Sequence, residues 1–249
     1  MRYNASPFSG IPVVVKNLLL INGIFFLVKA TGLGDFGGTD MDTWFGLHFF
    51  NSPVFRPWQL VTHMFMHGDL MHLVLNMFGL FMFGPPLEYK WGSKRFLSYY
   101  LLVGVGAALL YSGVHVYEYF EASRQLSAAD LELLRSNNTG LYGQDPNADR
   151  ILELWNIPLV GASGAIYGLL LAFGMTFPNT ELMMFPLPIP IKAKYFVLIL
   201  GALSIYKALQ NNPGDNVAHL AHLGGMVVGF ILIRLWRSRG GPDSFQRSW

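Results

Sequence analysis

The chain has very few charged residues and no cysteine. Only 13% of its 249 residues are Asp, Glu, Lys or Arg, whereas soluble domains carry about a quarter. The absence of cysteine excludes disulfides and thiolate metal sites. The net charge is +2 and no basic cluster with interleaved aromatic residues is present, so no nucleic-acid partner is expected. What remains is a chain that is 52% hydrophobic, which is the composition of a membrane protein.

Six apolar stretches approach the roughly 20 residues that a helix needs to cross the hydrocarbon core. They lie near residues 12–30, 69–87, 96–113, 157–177, 186–206 and 217–236. No internal repeat divides the chain. The sequence therefore predicts an all-α membrane protein with six transmembrane helices, forming a single domain over residues 1–249. Two long external loops are expected, over residues 31–66 and 114–156.

The basic residues divide unevenly between the two sides that six spans create. Eleven Lys and Arg fall on the side of both termini and six on the other side. The larger set is Arg2, Lys16, Lys90, Lys94, Arg95, Lys192, Lys194, Arg234, Arg237, Arg239 and Arg247. Because Lys and Arg accumulate in cytoplasmic segments, both termini are predicted to be cytoplasmic. The compact six-span core and the lack of a transit-peptide pattern favour a multi-pass protein of a bacterial plasma membrane.

Polar side chains recur near the outer ends of the three even-numbered spans. They are His67, His72 and Asn76 in the second span, Ser163 and Tyr167 in the fourth, and His219 and His222 in the sixth. Counted from the predicted helix starts, Ser163 and His222 each lie roughly 8–9 Å below the outer edge, at 1.5 Å per residue. Polar and ionisable residues inside a membrane mark functional sites by default. The sequence therefore predicts one polar site that is open toward the outer face.

The spacing in the second span decides which of its side chains share a face. His72 and Asn76 are four residues apart and lie on one helix face. Gly68 and Asp69 provide a break and an N-cap before the helix. His67 is therefore expected to reach the same layer from the preceding loop.

The fourth and sixth spans both carry stripes of small residues. His222, Gly225 and Gly229 share one face of the sixth span, and the glycines permit close approach of another helix. Glycines of the fourth span form a similar stripe. Ser163 and Tyr167 project well round from its centre, so spacing alone does not place Ser163 against His222.

Residue types alone leave several functions open. A serine hydroxyl becomes nucleophilic when a hydrogen-bonded base removes its proton, and His222 is a suitable base. Ser163 could instead be a packing residue, or the histidine layer could form a proton or metal path in a small transporter. His63 and His67 have metal-ligand spacing, but no intramembrane carboxylate joins them, so neither a metal nor another cofactor is expected.

Three short motifs resemble those of the rhomboid intramembrane serine proteases. They are GASG at 161–164, AHLGGMVVG at 221–229, and H-x-x-x-x-H-x-x-x-N at 67–76. They occur in the family's order on alternate spans, and the resemblance covers about residues 56–229. It implies a six-helix rhomboid-like bundle and a serine endopeptidase that cleaves transmembrane segments of membrane proteins near the outer face. The implied partners are such substrates and the lipid bilayer, with no metal.

The resemblance also implies a role for each residue of the layer. Ser163 would attack the scissile carbonyl, with His222 as general base and Tyr167 packed on the His222 ring. The oxyanion would be stabilised by His67, Asn76 and the Ser163 backbone amide, with His72 supporting that wall. Substrate would enter between the second and fifth helices.

Two further points follow from the resemblance. Many family members have Trp-Arg in the first external loop, whereas this chain has Trp58-Gln59. A non-catalytic relative that binds membrane proteins is the main alternative function. Such a protein would be expected to lack the serine or the histidine, and both are present in this chain.

Overall fold

Ten α-helices and one hairpin appear in the computed structural model, which describes residues 10–35, 38–136, 141–183, 189–210 and 216–238, without the side chains of 216–218. The helices are α1 (Val13–Ala30), α2 (Met41–Phe45), α3 (Gln59–Thr62), α4 (Leu70–Trp91), α5 (Ser93–Ser123), α6 (Ala128–Arg135), α7 (Pro146–Asn156), α8 (Ser163–Thr176), α9 (Ala193–Leu209) and α10 (Asn216–Ser238). A 3-10 turn follows α3 at His63–Phe65. Strands β1 (Glu181–Met183) and β2 (Pro190–Lys192) pair antiparallel between α8 and α9.

The predicted class, a helical membrane protein, is confirmed by helix length and composition. Among the described helices, α1, α4, α5 and α10 are long and apolar enough to cross a membrane. The 14 residues of α8 are apolar but fewer, and α9 has 17 residues. At 1.5 Å per residue α8 extends about 21 Å, less than a bilayer core of about 30 Å. The shortness of α8 is possible because neighbouring helices, and not lipid, surround it.

Several predicted helix limits are wrong, because hydropathy reports apolarity and not backbone conformation. The fourth helix begins at Ser163 and not near 157, since residues 157–162 form no helix and Leu159 pairs with Leu47 of the first external loop. The fifth begins at Ala193, because β2 occupies Pro190–Lys192, and residues 184–188 of its predicted start lie outside the described ranges. The third continues to Ser123, well beyond its predicted end.

The core of the bundle is centred on α8. Most α8 residues are buried, including Ala165 and Leu169, and α8 packs against α4, α5, α9 and α10. In contrast, α1, α4 and α9 expose large apolar side chains such as Leu20, Leu75 and Leu198. Exposed leucines of this kind suit a lipid environment, where they cause no loss of solubility.

Glycines allow α8 and α10 to approach closely. A Cβ added at Gly225 would overlap the carbonyl oxygen of Gly164, and one at Gly229 would lie 3.3 Å from the Gly168 Cα. Close backbone contact of this kind is the packing mode of small residues in membrane helices. The two glycine stripes expected from the sequence therefore meet each other.

The N-terminal end of α1 is fixed by a buried carboxylate. Glu88 of α4 is 2% exposed and accepts hydrogen bonds from the backbone N–H groups of Val14 (3.0 Å) and Val15 (2.9 Å). The Ser93 hydroxyl donates to the same carboxylate at 2.7 Å. The first N–H groups of a helix have no intrahelical partner and attract negative charge, so Glu88 satisfies two of them at once.

The expected external loop 114–156 folds largely into helices, which we call the outer subdomain. The end of α5 packs against α6 and α7 around Leu134, Ile151 and Trp155. Arg150 of α7 pairs with Glu118 of α5 at 2.6 Å. Ser127 caps α6, accepting from the Asp130 backbone N–H at 3.1 Å.

Candidate active site

Ser163 is the first residue of α8, whereas the sequence predicted a position about six residues inside the helix. The first N–H groups of a helix have no intrahelical acceptor and carry partial positive charge, so the Ser163 amide suits an oxyanion. Before it, the Gly161 N–H donates to the His63 carbonyl at 2.8 Å. Gly161 has φ +115°, which favours glycine, and a Cβ there would lie 2.7 Å from the His72 ring.

The His222 ring lies on the face of α8 that carries Ser163. It stacks parallel on the Tyr167 ring, with centroids 4.0 Å apart and planes 7° apart. Tyr167 is one turn after Ser163, and residues four apart share a helix face. Both Ser163 and His222 are half-buried. The described structure contains no hydrogen bond between the two side chains, so that bond remains a prediction.

His67, His72 and Asn76 form a second wall of the site, at the N-terminal end of α4. Asp69 caps α4 by accepting from the His72 backbone N–H at 2.8 Å. The His72 ring is 5.1 Å from the His67 ring, and Asn76 is buried and donates to the His72 carbonyl at 2.9 Å. The contact of His72 with Gly161 places His72, rather than His67, beside the segment that leads to Ser163.

His67 lies behind His72 in a fully enclosed position. It is 1% exposed, and neither buried ring nitrogen has a hydrogen-bond partner in the described structure. Burial lowers the pKa of His67, which precedes α4, well below its ordinary value of 6.5, and the nearby His72 adds to the shift. Its imidazole is therefore neutral near pH 7. Its backbone carbonyl accepts from the Lys29 ammonium at 2.9 Å, which ties α1 to this wall.

A small cavity adjoins Ser163 on the side of α5. Its volume is about 10 Å³, and its lining includes His63, Gly104, Ala107 and Ser163. His63 is 3% exposed and hydrogen-bonds through Nδ1 to the Gln59 carbonyl at 2.9 Å.

Gln59, where many family members have arginine, is fully buried and organises the first external loop. Its Oε1 accepts from the backbone N–H groups of His48 (3.3 Å) and Arg56 (3.1 Å). Its Nε2 donates to the carbonyls of Thr43 (3.0 Å) and Val54 (3.2 Å). A neutral amide thus satisfies both donors and acceptors, which a guanidinium cannot do because it only donates.

Arg56 does not take the place of the missing arginine. Its guanidinium donates to the carbonyls of Pro53 and Phe55 within its own exposed turn. In the sequence, position 59 stands out only as a departure from the family pattern. The signal for its role was the glutamine itself, since a long amide in an apolar loop requires several hydrogen-bond partners.

In the described ranges, no group of three or more His, Cys, Asp or Glu side chains is arranged to hold a metal ion. His63 and His67 have metal-ligand spacing in sequence, and His72 follows them. In the structure, these histidines have different partners. His63 bonds to backbone behind Ser163, while His67 and His72 contact each other edge to face.

Residues 54–239 match the Rhomboid domain, more than half of the chain, so the chain belongs to the rhomboid family. It is 29% identical over 69% of its length to RHOMBOID-like protein 12, mitochondrial, of Arabidopsis thaliana, covering 44% of that protein. It is 28% identical over 96% of its length to an uncharacterized mitochondrial rhomboid protein of Schizosaccharomyces pombe, covering 68% of that protein. It is 27% identical over 70% of its length to Rhomboid protease AarA of Providencia stuartii, covering 54% of that protein.

The names of these relatives bear on activity and on compartment. AarA is named a protease, which supports a peptidase family, although the chain spans less than two thirds of the Arabidopsis and Providencia proteins. Several relatives are mitochondrial, which does not agree with the predicted bacterial plasma membrane. Localisation in a membrane is supported by the apolar helices and the family.

Proposed function

We propose that this protein is an intramembrane serine endopeptidase with Ser163 as nucleophile and His222 as general base. The Ser163 Oγ attacks the scissile carbonyl carbon while His222 takes the hydroxyl proton. The tetrahedral intermediate then expels the amine, which receives that proton from His222. A water molecule, deprotonated by His222, attacks the acyl-enzyme and releases the carboxylic acid with regeneration of Ser163.

The observation that carries this proposal is the parallel stacking of His222 on Tyr167 at 4.0 Å, on the helix face of Ser163. The stacked ring has little rotational freedom, and the contact of Gly225 with Gly164 holds the two helices close. Catalytic hydrogen bonds are often long in the absence of substrate and shorten on binding. The stacking therefore supports a Ser163–His222 pair that becomes hydrogen-bonded in the enzyme–substrate complex.

We assign the oxyanion site to the Ser163 backbone amide, His72 and Asn76. The sequence resemblance implied His67 in this role with His72 as its support. The contact between the His72 ring and Gly161 favours the reverse assignment, in which His72 is the oxyanion donor and His67 packs against it as a support. Each such donor is worth about 3–4 kcal/mol in the transition state.

Membrane proteins with a transmembrane segment are the proposed substrates, entering from the lipid between α4 and α9. The rings of Phe83 on α4 and Phe196 on α9 stack at 6.2 Å. Phe196 lies in the first turn of α9 and Phe83 in the second half of α4, so this contact lies away from the N-terminal end of α4. It supports an opening between the outer halves, at the depth of Ser163.

The test is cleavage of a model transmembrane substrate and labelling by a fluorophosphonate probe, in purified protein. Labelling and cleavage are expected in the wild type, to vanish in Ser163→Ala and His222→Ala, and to persist in His219→Ala. Full cleavage by Ser163→Ala would contradict the proposal. Loss of cleavage on adding a chelator would instead favour a metal-dependent reaction.

The same variants distinguish the alternative functions. A non-catalytic binder of membrane proteins would retain substrate binding without any labelling of the wild type. A histidine-lined transporter would depend on His63 and His219 and be indifferent to Ser163→Ala. The stacking of His222 favours the hydrolase, since a transport path needs a histidine free to exchange partners.

A further inference from the structure

The last turn of α7 is held by two side chains of the first external loop (residues 31–66). Carbonyl groups at a helix C-terminus have no helical partner. The Trp155 carbonyl oxygen accepts from His48 Nδ1 at 2.9 Å and from Ser52 Oγ at 3.0 Å. Because a carbonyl only accepts, the His48 proton is on Nδ1. Trp155, His48 and Ser52 are all buried, so these bonds form a specific cross-link.

The same loop also packs on the outer subdomain through an aromatic side chain. Phe49 is 5% exposed and belongs to the apolar cluster that contains Trp155. Its ring lies 5.4 Å from the ring of Tyr119 on α5. The loop therefore rests on both α5 and α7, which the Glu118–Arg150 ion pair joins.

The chain that leaves Trp155 reaches Ser163 through residues 157–162, which form no helix and which we call the entry segment. Leu159 pairs with Leu47 by two backbone hydrogen bonds, of 2.9 and 2.8 Å. Leu47 directly precedes His48, so the side-chain cross-link and the backbone pairing are adjacent. The Gly161 N–H then bonds to the His63 carbonyl at 2.8 Å. The entry segment is thus held by backbone hydrogen bonds at Leu159 and at Gly161.

We propose that His48 and Ser52 are positioning residues, which act through the Trp155 carbonyl to set the register of the entry segment and hence the position of Ser163. This inference rests on the proposed function, and it gives the outer subdomain a role in catalysis. Both side chains are buried, so we expect them to influence the rate rather than substrate binding. A displacement of about 1 Å at a reacting atom can lower a rate roughly a hundredfold.

The test compares variants that remove or keep the donors. His48→Phe combined with Ser52→Ala removes both, whereas His48→Asn keeps a donor close to the position of Nδ1. In the double variant, kcat and the rate of fluorophosphonate labelling are expected to fall about 10- to 100-fold, with KM within about threefold of the wild type. Hydrogen exchange at the amides of Leu159 and Gly161 is expected to become faster. His48→Asn is expected to retain most of the wild-type rate.

Leu134→Ala is the matched control, because Leu134 is 1% exposed in the same subdomain and makes none of these hydrogen bonds. It is expected to lower the melting temperature at least as much, with little change in labelling rate. An unchanged labelling rate in the double variant would overturn the proposal, as would an equal loss in Leu134→Ala. If the double variant does not fold, Ser52→Ala against Ser52→Thr makes the same comparison.

Failure of the proposed protease function can be distinguished from failure of the positioning role of His48 and Ser52. A wild-type protein that neither cleaves nor is labelled would contradict the protease, whatever the variants do. Hydrogen exchange would still decide whether His48 and Ser52 hold the entry segment, because that measurement needs no activity.

Discussion

At the scale of single residues, Ser163 owes its setting to the segment before it. Gly161 has a backbone conformation that favours glycine and leaves room for the His72 ring. Ser163 then begins α8, where its amide has no helical acceptor. The position of Ser163 at a helix N-terminus, rather than inside a helix, is what makes its backbone amide available for the proposed oxyanion site.

The order of the two histidines is testable. His72→Ala is expected to lower kcat about 10²- to 10³-fold, because one oxyanion donor is lost. His67→Ala is expected to lower it less, since His67 contacts His72 but not Gly161. Steady-state cleavage of the model substrate measures both, and the melting temperature of each variant serves as a control for folding. A larger kinetic loss in His67→Ala, with equal stability, would restore the order that the resemblance implied.

At the scale of elements, the contact between α8 and α10 depends on the absence of side chains. Gly225→Ala would place a methyl group on the Gly164 carbonyl, and the helices must separate to accommodate it. Overpacking of this kind costs about 1–3 kcal/mol. Reduced thermal stability and reduced fluorophosphonate labelling are expected together, because the separation moves His222 away from Ser163. The control is Gly23→Ala in α1, where an added Cβ meets nothing within 4 Å.

The anchoring of α1 by Glu88 gives a second prediction at this scale. Glu88→Gln turns an amide N–H₂ toward one of the two backbone donors, so at least one hydrogen bond to Val14 or Val15 is lost. The expected loss is about 1–3 kcal/mol of unfolding free energy, because a buried donor is left without an acceptor. Thermal unfolding in detergent measures it. Glu121→Gln, which affects only the exposed pair with Arg124 at 3.5 Å, is the matched control and should change little.

At the scale of the whole molecule, the uneven distribution of Lys and Arg predicts which side the site faces. The chain has no cysteine, so a single introduced cysteine is a unique label. Tyr142→Cys, at an exposed position near the outer subdomain, should react with a membrane-impermeant maleimide added from outside. Lys94→Cys, at the start of α5, should react only after permeabilisation. The opposite pattern would invert the orientation and place the site on the inner side.

Much of the architecture could be predicted from the sequence, because the bilayer imposes its own length scale. A low charge content and apolar stretches of nearly spanning length define a helical membrane protein before any contact is known. Asp69 as the cap of α4 and the glycine stripes of α8 and α10 could also be predicted, since each depends on neighbours a few residues away. The candidate residues of the site were named for the same reason, by short motifs on successive helices.

Only the tertiary structure decided what depends on contacts between distant segments. Residues 157–162 are apolar enough to be predicted as helix, but the hydrogen bonds of Leu159 with Leu47 and of Gly161 with His63 keep them non-helical, so that α8 begins at Ser163. The positions of Gln59 and His48 are fixed by hydrogen-bond partners in other parts of the chain. Hydropathy and residue spacing do not encode such partners. Local periodicity follows from local sequence, whereas the burial of a polar side chain is determined by where its hydrogen-bond partners lie in space.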